Sequence, residues 1–223
     1  KENIQSTFTG HPLLENNEKN KIDISQIIKD HKKIISIFPG SRRSEIDVLL
    51  PILINFIKMM NEKYNDIFYV FHSTTEFNKL IQDKLIKVGF KNCGSISDEK
   101  VKSEVLKSST FAVAKSGTIS LEICNAKVPS IIIYKMNSIN FLIIKMLVKV
   151  KYANIINIAA NEEIIPELLQ SNCNSKNIFN NVDTLFENNE SMQNQIDKSQ
   201  EILKNFKTNQ SSKIAASVLT NSL

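Results

Sequence analysis

Two polar turns follow apolar runs in this sequence, and both carry residue types that bind phosphate. The first polar turn, residues 39–43 (PGSRR), follows the apolar run 34–38. The second polar turn, residues 115–118 (KSGT), follows the run 111–114. Glycine lets a ligand approach the backbone, and the N–H groups at a helix start attract anions. The turns predict an anion-binding site whose candidate residues are Gly40, Ser41, Arg42, Ser116, Gly117 and Thr118.

A carboxylate lies one helical turn beyond the second polar turn. Glu122 follows Thr118 by four residues, so both side chains share one face of the expected helix, which Ser116 is placed to cap. A turn lined by N–H groups suits a phosphate, and a carboxylate one turn further suits the two hydroxyls of a ribose. The combination outlines a nucleotide site. The alternative is an ordinary helix start followed by a solvated glutamate.

Alternating strand and helix patterns must position these residues. The strand patterns lie at 34–38, 67–71, 92–96, 111–114, 130–134 and 155–158. The helix patterns lie at 46–60, 76–88, 99–107 and 138–151, with one that carries Glu122 before Pro129, another begun by Pro166 and further helices over the last fifty residues. Pro51 is expected to kink the first helix or mark a boundary, and Asp98 to cap the third. This alternation predicts an α/β fold with a doubly wound parallel sheet, in which both polar turns lie at one edge.

The net charge of +5 is concentrated in one segment. Residues 123–161 contain five lysines and no acidic residue, whereas charges balance elsewhere, which argues against nucleic-acid binding. Within this segment, residues 137–152 predict a helix with Phe141, Lys145 and Lys149 on one face. Two interpretations stay open: a core helix with solvated lysines, or a surface for a membrane or an acylated, phosphorylated ligand.

The cysteines and the absence of several known motifs exclude some classes of protein. Cys93, Cys124 and Cys173 are far apart and have no neighbouring histidine cluster, so we expect reduced thiols, a cytoplasmic protein and no metal site. The sequence contains neither GxGxxG nor GxxxxGK[ST], and we therefore expect no dinucleotide cofactor or P-loop chemistry. The sequence contains no run of about 18 uncharged apolar residues, so no membrane-spanning helix is predicted. The chain starts with Lys and a polar stretch, which suggests a piece of a longer protein.

Four motifs, taken together, resemble the lipid-A-disaccharide synthases. They are GHPLLE (10–15), FPGSRRSEI (38–46), SGTISLEICNAKVPSIIIYK (116–135) and NIIN…IIPELLQ (154–170), in the order and spacing of that family. The resemblance implies one Rossmann-like domain of a two-domain GT-B fold, the donor-binding one, with C-terminal helices. It divides the chain into an interdomain linker and domain start at 1–30, a UDP-sugar-binding domain at 31–172 and the helices at 173–223.

The resemblance also implies an activity and its substrates. The family transfers 2,3-diacylglucosamine from its UDP donor to 2,3-diacylglucosamine 1-phosphate, with inversion and without a metal or cofactor. It releases UDP and forms the lipid A disaccharide 1-phosphate. We therefore expect cytoplasmic localisation. Peripheral contact with the inner face of the inner membrane and a homodimer are open options. The family's general base belongs to the N-terminal domain, so no catalytic residue is assigned here and this chain alone is expected to be inactive.

The resemblance gives each candidate residue a role. Arg42 and its turn would hold the diphosphate, the second polar turn would support the phosphates, and Glu122 would bind the ribose hydroxyls. Further donor contacts are implied at Asn157, Glu167 and Gln170. Departures from the family's usual residues are Lys115 for a small residue, Ile156 for Pro and Asn161 for Gly.

Two other functions remain open from the residues themselves. One is a different UDP-sugar enzyme of the same fold, either a peptidoglycan glycosyltransferase or a UDP-sugar epimerase. The other is a non-catalytic nucleotide-binding module. The sheet alone does not separate these alternatives, because the same architecture hosts many chemistries.

Overall fold

Six parallel strands form one sheet in the part of the chain described by the computed structural model, residues 7–14, 22–28, 33–136, 151–208 and 210–221. The strands are β1 (Lys33–Phe38), β2 (Ile67–His72), β3 (Cys93–Ile96), β4 (Phe111–Lys115), β5 (Ser130–Tyr134) and β6 (Glu167–Leu169). Their order is β3-β2-β1-β4-β5-β6, so the direction of winding reverses between β1 and β4. This confirms the predicted doubly wound α/β fold, in which ligands bind beyond the strand ends at the reversal.

Helices connect and flank the strands. They are α1 (Ser25–Ile28), α2 (Arg43–Lys63), α3 (Thr75–Val88), α4 (Glu99–Lys107), α5 (Ile119–Asn125), α6 (Ile155–Ala160), α7 (Ser175–Phe186), α8 (Asn189–Leu203) and α9 (Ser211–Asn221). Short 3-10 helices cover Pro12–Leu14, Gln170–Asn172 and Lys204–Phe206. Asp98 caps α4 as predicted, accepting the N–H groups of Lys100 and Val101 at 2.9 and 3.0 Å.

The sheet separates two hydrophobic layers, which explains why its central strands are rich in apolar residues. Alternate residues of a strand face opposite sides, and here both sides are covered. Val113 of β4 packs in the layer that contains α2, whereas Ala112 and Ala114 pack in the layer that contains α5. All six residues of β2 are buried for the same reason. The buried sheet fixes where the polar turns at its edge can lie.

Helix α2 continues through Pro51, so a boundary at this residue is wrong. Pro51 is exposed, whereas Leu49, Leu53 and Ile57 of the same helix are almost completely buried. Proline removes one helical hydrogen bond, but the apolar face of a helix supplies most of its stability in a protein. Burial of this face therefore keeps the helix continuous.

Two elements near residue 160 also differ from the sequence prediction. Residues 155–158, predicted as a strand, belong to α6, because the Asn154 side chain caps this helix by accepting the Ile156 N–H at 2.7 Å. A short apolar run does not by itself distinguish a strand from a buried helix. Pro166, predicted to open a helix, precedes the edge strand β6, and its carbonyl accepts the Ile132 N–H at 2.9 Å. Proline is tolerated at such an edge.

The C-terminal helices α7 and α8 pack on the sheet. Ile178 and Val182 of α7 are buried in the α2 layer, and Leu203 of α8 is buried in the α5 layer. Gln195 of α8 is also buried: its amide accepts the Ser130 N–H at 2.6 Å and donates to the Ser130 carbonyl at 3.0 Å. This amide ties α8 to the start of β5, a contact that no sequence pattern indicated.

Candidate functional site

Both polar turns lie at the carboxyl edge of the sheet, because β1 and β4 are parallel neighbours with Phe38 paired to Ala114. They line one cavity of about 250 Å³, which we call the turn cavity. The expectation that the turns meet at one edge is therefore confirmed. The candidate residues in its lining are Gly40, Ser41, Ser116, Gly117, Thr118 and Glu122.

A largely buried ion pair at the carboxyl edge of the sheet links the two polar turns. Lys115 Nζ lies 2.9 Å from Glu45 Oε1, and Glu45 Oε2 accepts the Ser41 N–H at 3.1 Å. Burial would raise the pKa of Glu45, but the hydrogen bond and charge of Lys115, with the Ser41 N–H, outweigh it and leave this pKa lowered. Gly40 has φ of +110°, and a Cβ there would collide with Glu45. The first turn therefore already holds one anion, a carboxylate.

Arg42 lies away from this pair. Its side chain is 79% exposed, and its guanidinium reaches only 3.8 Å from Glu45 Oε1. It is not part of the lining of the turn cavity. Lys115, a departure from the resembled family's small residue, lines the cavity instead. In this conformation the cation next to the turns is a lysine from β4, and Arg42 stands at the rim.

Ser116 does not cap the following helix, so that prediction is wrong. Helix α5 begins at Ile119, and Thr118 occupies the N-cap position without a side-chain cap. The Ser116 hydroxyl instead donates to the carbonyl of Ala153 at 2.8 Å. Ser116 lies too far before the helix start to cap it, and its hydroxyl ties the second polar turn to the chain before α6.

Glu122 stands where the turn cavity meets a second, larger one. This α4–α5 cavity has a volume of about 380 Å³ and is lined by residues from those two helices, among them Glu99 and Asn125. The two cavities share Glu122 and Lys102. Burial first, and the charge of Glu99 second, raise the pKa of Glu122, while Lys102 opposes them. A partly desolvated carboxylate in a cavity wall is well suited to accept hydrogen bonds from hydroxyl groups.

Asn157 and Glu167 form an internal network. Asn157 is fully buried, and its side chain donates to Glu167 Oε1 at 2.8 Å and to the Ile165 carbonyl at 2.7 Å. Glu167 accepts the N–H groups of Ala153 and Asn154 at 2.7 and 2.9 Å. These bonds hold the chain between residues 153 and 167. Neither residue is in the lining of the two cavities described above.

Two residues near this network, Asn161 and Gln170, have positive φ angles. Gln170 follows β6 with φ of +53°, and its Nε2 is buried without a hydrogen-bond partner. Asn161, which replaces the resembled family's usual Gly, has φ of +53° after α6. Asparagine tolerates this left-handed conformation better than most residues. The replacement therefore keeps the turn that a glycine would make.

His72 belongs to the site, although sequence reasoning assigned it no role. It ends β2, whose neighbour β1 leads into the first polar turn, and it lines both cavities. Its ring stacks on Phe38 with centroids 4.2 Å apart. Burial, with a smaller contribution from the charge of Lys102, lowers the pKa of His72 to about 3, so the ring is neutral at physiological pH. The signal that could have found it is its position directly after the predicted strand 67–71, where polar residues of a parallel sheet face the same edge as the two polar turns.

Of the helix predicted over 138–151, residues 138–150 lie outside the described residues, and these include Phe141, Lys145 and Lys149. Within the part of the chain that is described, no helix combines the length and apolarity needed to cross a membrane.

Strand order and edge cavities define a Rossmann-like domain of the kind found in GT-B enzymes. Similar solved structures include S. aureus MnaA with UDP (TM-score 0.58, 15% identity, covering 92% of this chain and 51% of that one). Another is WaaG, a glycosyltransferase involved in lipopolysaccharide biosynthesis (TM-score 0.56, 11% identity, 88% and 49% covered). At these identities the likeness shows the fold alone.

Sequence comparison identifies the family. The model described as "Lipid-A-disaccharide synthetase" matches residues 1–220. A lipid-A-disaccharide synthase of Rickettsia prowazekii (strain Madrid E) is 34% identical over 223 residues, covering 97% of this chain and 58% of the relative. The chain belongs to the lipid-A-disaccharide synthetase family, as its four motifs predicted. It spans a little over half the length of this curated relative.

Proposed function

We propose that this chain supplies the donor-binding part of a glycosyltransferase of lipid A biosynthesis. The whole enzyme would transfer 2,3-diacylglucosamine from its UDP donor to 2,3-diacylglucosamine 1-phosphate, releasing UDP and forming the lipid A disaccharide 1-phosphate. One observation carries the proposal: in a member of this family, two polar turns meet at a cavity that continues past a carboxylate into a second cavity. That arrangement matches the order of phosphates, ribose and base in a nucleotide.

The diphosphate of the donor would lie in the turn cavity. The Ser41 N–H already binds a carboxylate oxygen there, which supports its ability to hold a phosphate oxygen. Lys115 would neutralise part of the phosphate charge, and Arg42 is long and exposed enough to turn inward from the rim. As the bond between the sugar and the diphosphate breaks, negative charge collects on UDP. Preorganised N–H groups and cations stabilise such charge most effectively in a cavity that excludes water.

The ribose would lie at Glu122, with the uracil ring in the α4–α5 cavity. Glu122 lines both cavities, so a nucleoside that spans them must pass this carboxylate. The carboxylate accepts two hydroxyl hydrogen bonds without needing a partner of its own. A solved structure of similar fold that contains UDP supports this class of ligand.

Asn157 and Glu167 would act by positioning the site. Their hydrogen bonds hold the chain at Ala153 and Asn154 against Glu167. The hydrogen bond from Ser116 to the Ala153 carbonyl then fixes the second polar turn against this segment. Gln170 does not line either cavity, but its amide nitrogen has no partner among the described residues, so this N–H group is free to bind the nucleotide sugar if the segment moves.

The acyl chains of both substrates call for a surface that tolerates lipid. We assign this role to residues 137–152, with Phe141, Lys145 and Lys149, and propose peripheral contact with a membrane at its cytoplasmic face. The general base would come from outside this chain. A preparation of the chain alone is therefore expected to bind the donor without turning it over.

Calorimetric titration of UDP into the chain tests the proposal. We expect one binding site, and we expect Glu122→Ala to weaken UDP binding by about tenfold, the loss of one to two charge-assisted hydrogen bonds. Glu201→Ala is the matched control, because Glu201 is exposed on α8 and does not line either cavity. No UDP binding to a folded chain, or equal affinity for wild type and Glu122→Ala, would contradict the proposal.

A further inference from the structure

The end of β2 carries two buried polar atoms that nothing in the described chain satisfies. His72 is 3% exposed, and its Nδ1 has no hydrogen-bond partner. Thr74 Oγ1, two residues on, is also buried without a partner, although Thr74 occupies the N-cap position of α3. Both residues line the turn cavity. Buried polar atoms are nearly always paired in native proteins, so two unpaired ones at the same cavity point to a ligand.

A chain of hydroxyl groups fixes which nitrogen of His72 carries the proton. Ser109 Oγ donates its only hydrogen to the Val105 carbonyl at 2.8 Å. Ser36 Oγ lies 2.7 Å from Ser109 Oγ and 2.7 Å from His72 Nε2. Since the Ser109 hydrogen is already used, the contact between the two hydroxyls needs the hydrogen of Ser36.

It follows that Nε2 must donate to Ser36 Oγ, since the Ser36 hydrogen is not available for the ring. Any other assignment leaves one pair of oxygen atoms, either the two hydroxyls at 2.7 Å or Ser109 Oγ and the Val105 carbonyl at 2.8 Å, with no hydrogen between them. In a neutral imidazole, protonated Nε2 means that Nδ1 carries a lone pair. The low pKa of His72 keeps the ring neutral, so this tautomer persists across the physiological range. The unpaired atom is therefore an acceptor, and its missing partner is a donor.

The hydrogen-bond donor that Nδ1 lacks must also belong to a particular chemical group. The His72 ring lines both the turn cavity and the α4–α5 cavity, as Glu122 does. A phosphate at neutral pH offers only acceptors, so it does not satisfy Nδ1. Hydroxyl groups do, and a nucleotide sugar carries them on the ribose and on the transferred hexose, on either side of its diphosphate.

We propose that His72 is a binding residue of the donor site, whose Nδ1 accepts a hydrogen bond from a hydroxyl group of the nucleotide sugar. Thr74 Oγ1, from the same strand end, provides a second polar contact to the same ligand. This inference rests on the proposed function, because that function supplies the ligand. It adds the end of β2 as a third wall to the site formed by the two polar turns, and it makes the Ser36–Ser109 pair the device that sets the ring tautomer.

Nitrogen NMR of the imidazole rings tests the inference directly. In the free chain labelled with ¹⁵N, we expect His72 to show protonated Nε2 and bare Nδ1. On saturation with UDP, a shift of Nδ1 towards hydrogen-bonded values would support the inference and place the hydrogen-bond donor on the nucleoside; the same shift with 2′,3′-dideoxy-UDP would assign it to the uracil N3–H and overturn the inference. A shift that appears only with UDP-N-acetylglucosamine would support it and identify a hydroxyl of the hexose. Ser36→Ala should give a mixture of the two tautomers.

Two further outcomes would overturn the inference. One is a free protein with protonated Nδ1. The other is an Nδ1 signal that neither ligand changes while backbone amide shifts show that both are bound, which would leave the proposed donor function intact. Absence of any amide shift with either ligand would instead reject the donor function and, with it, this inference.

Substitutions provide an independent measure. His72→Phe keeps a ring against Phe38 but has no acceptor, and we expect it to weaken binding of the active ligand by about three- to tenfold. His72→Asn places an amide oxygen near the position of Nδ1, so it should recover most of the affinity. Equal affinities for wild type, His72→Phe and His72→Asn would overturn the inference. Thermal melting of each variant checks that it is folded, and the NMR result on the unaltered chain does not depend on either substitution.

Discussion

The carboxyl edge of the sheet and the Asn157–Glu167 pair both carry polar side chains, but these side chains differ in how they are hydrogen-bonded; the pair's neighbour Asn154, like the edge, keeps a buried amide nitrogen without a partner among the described residues. At the edge, His72 and Thr74 keep unpaired polar atoms, and burial raises the pKa of Glu122. In the segment 153–167, Asn157 and Glu167 use their side-chain oxygens on backbone N–H groups. Unpaired groups are costly unless a ligand completes them, whereas paired groups stabilise the fold. The contrast divides the motif residues into those that bind and those that position.

The largest expected effect lies on the positioning side. Glu167→Ala leaves the N–H groups of Ala153 and Asn154 without their acceptor, together with the Asn157 amide. We expect it to lower the free energy of unfolding by about 3 kcal/mol, measured by urea denaturation. Glu163→Ala, which removes one exposed hydrogen bond nearby, is the control. A loss below about 1 kcal/mol would show that the network does not hold this segment.

The two cations near the first polar turn should differ in their effect on binding. Lys115→Met removes the cation that lines the turn cavity, and we expect UDP affinity to fall by about tenfold in calorimetry. Arg42→Met removes an exposed charge and should cost about threefold or less at physiological salt. Lys58→Met, exposed on α2, is the control. The reverse order of Lys115 and Arg42 would mean that the donor draws Arg42 fully into the site.

The smallest expected effect is a gain in stability. The pKa of Glu122 is raised in the folded protein. The folded state therefore loses stability relative to the unfolded state as the pH rises from the pKa of Glu122 in the unfolded chain to its higher pKa in the folded chain. Glu122→Gln removes that penalty. We expect Glu122→Gln to be slightly more stable than wild type at pH 7, by less than about 1 kcal/mol, with no difference at pH 3. A less stable variant at pH 7 would show that the ionised carboxylate has a partner within the protein.

Much of the fold could be predicted from local patterns. Apolar runs located β1, β2, β4 and β5, the short pattern at 92–96 located β3, and Asp98 marked the start of α4 as predicted. The failures lie where long-range contacts decide. Residues 155–158 form a helix because Asn154 caps it, and Pro166 enters an edge strand because β5 offers it a hydrogen bond. Such pairing has no local signature.

The candidate site shows the same limit. The meeting of the two polar turns followed from parallel strands, which a sequence reveals by alternation. The Lys115–Glu45 pair did not, because it joins residues 70 positions apart, one at the end of β4 and the other in the first turn of α2. Likewise, Ser36, Ser109 and His72 come together only through the register of β1 against its neighbours, and the tautomer of His72 depends on all three.

Mapping of backbone amide shifts during a UDP titration tests the central proposal most directly, because it reports where the nucleotide binds. If the two polar turns form the donor site, the largest changes should fall on Ser41, Gly117 and Thr118, with Glu122 close behind, and the amides of α7 should stay unchanged. Saturable shifts that are largest on α7 or α8, with the turn amides unmoved, would contradict the assignment of the donor site to this edge of the sheet.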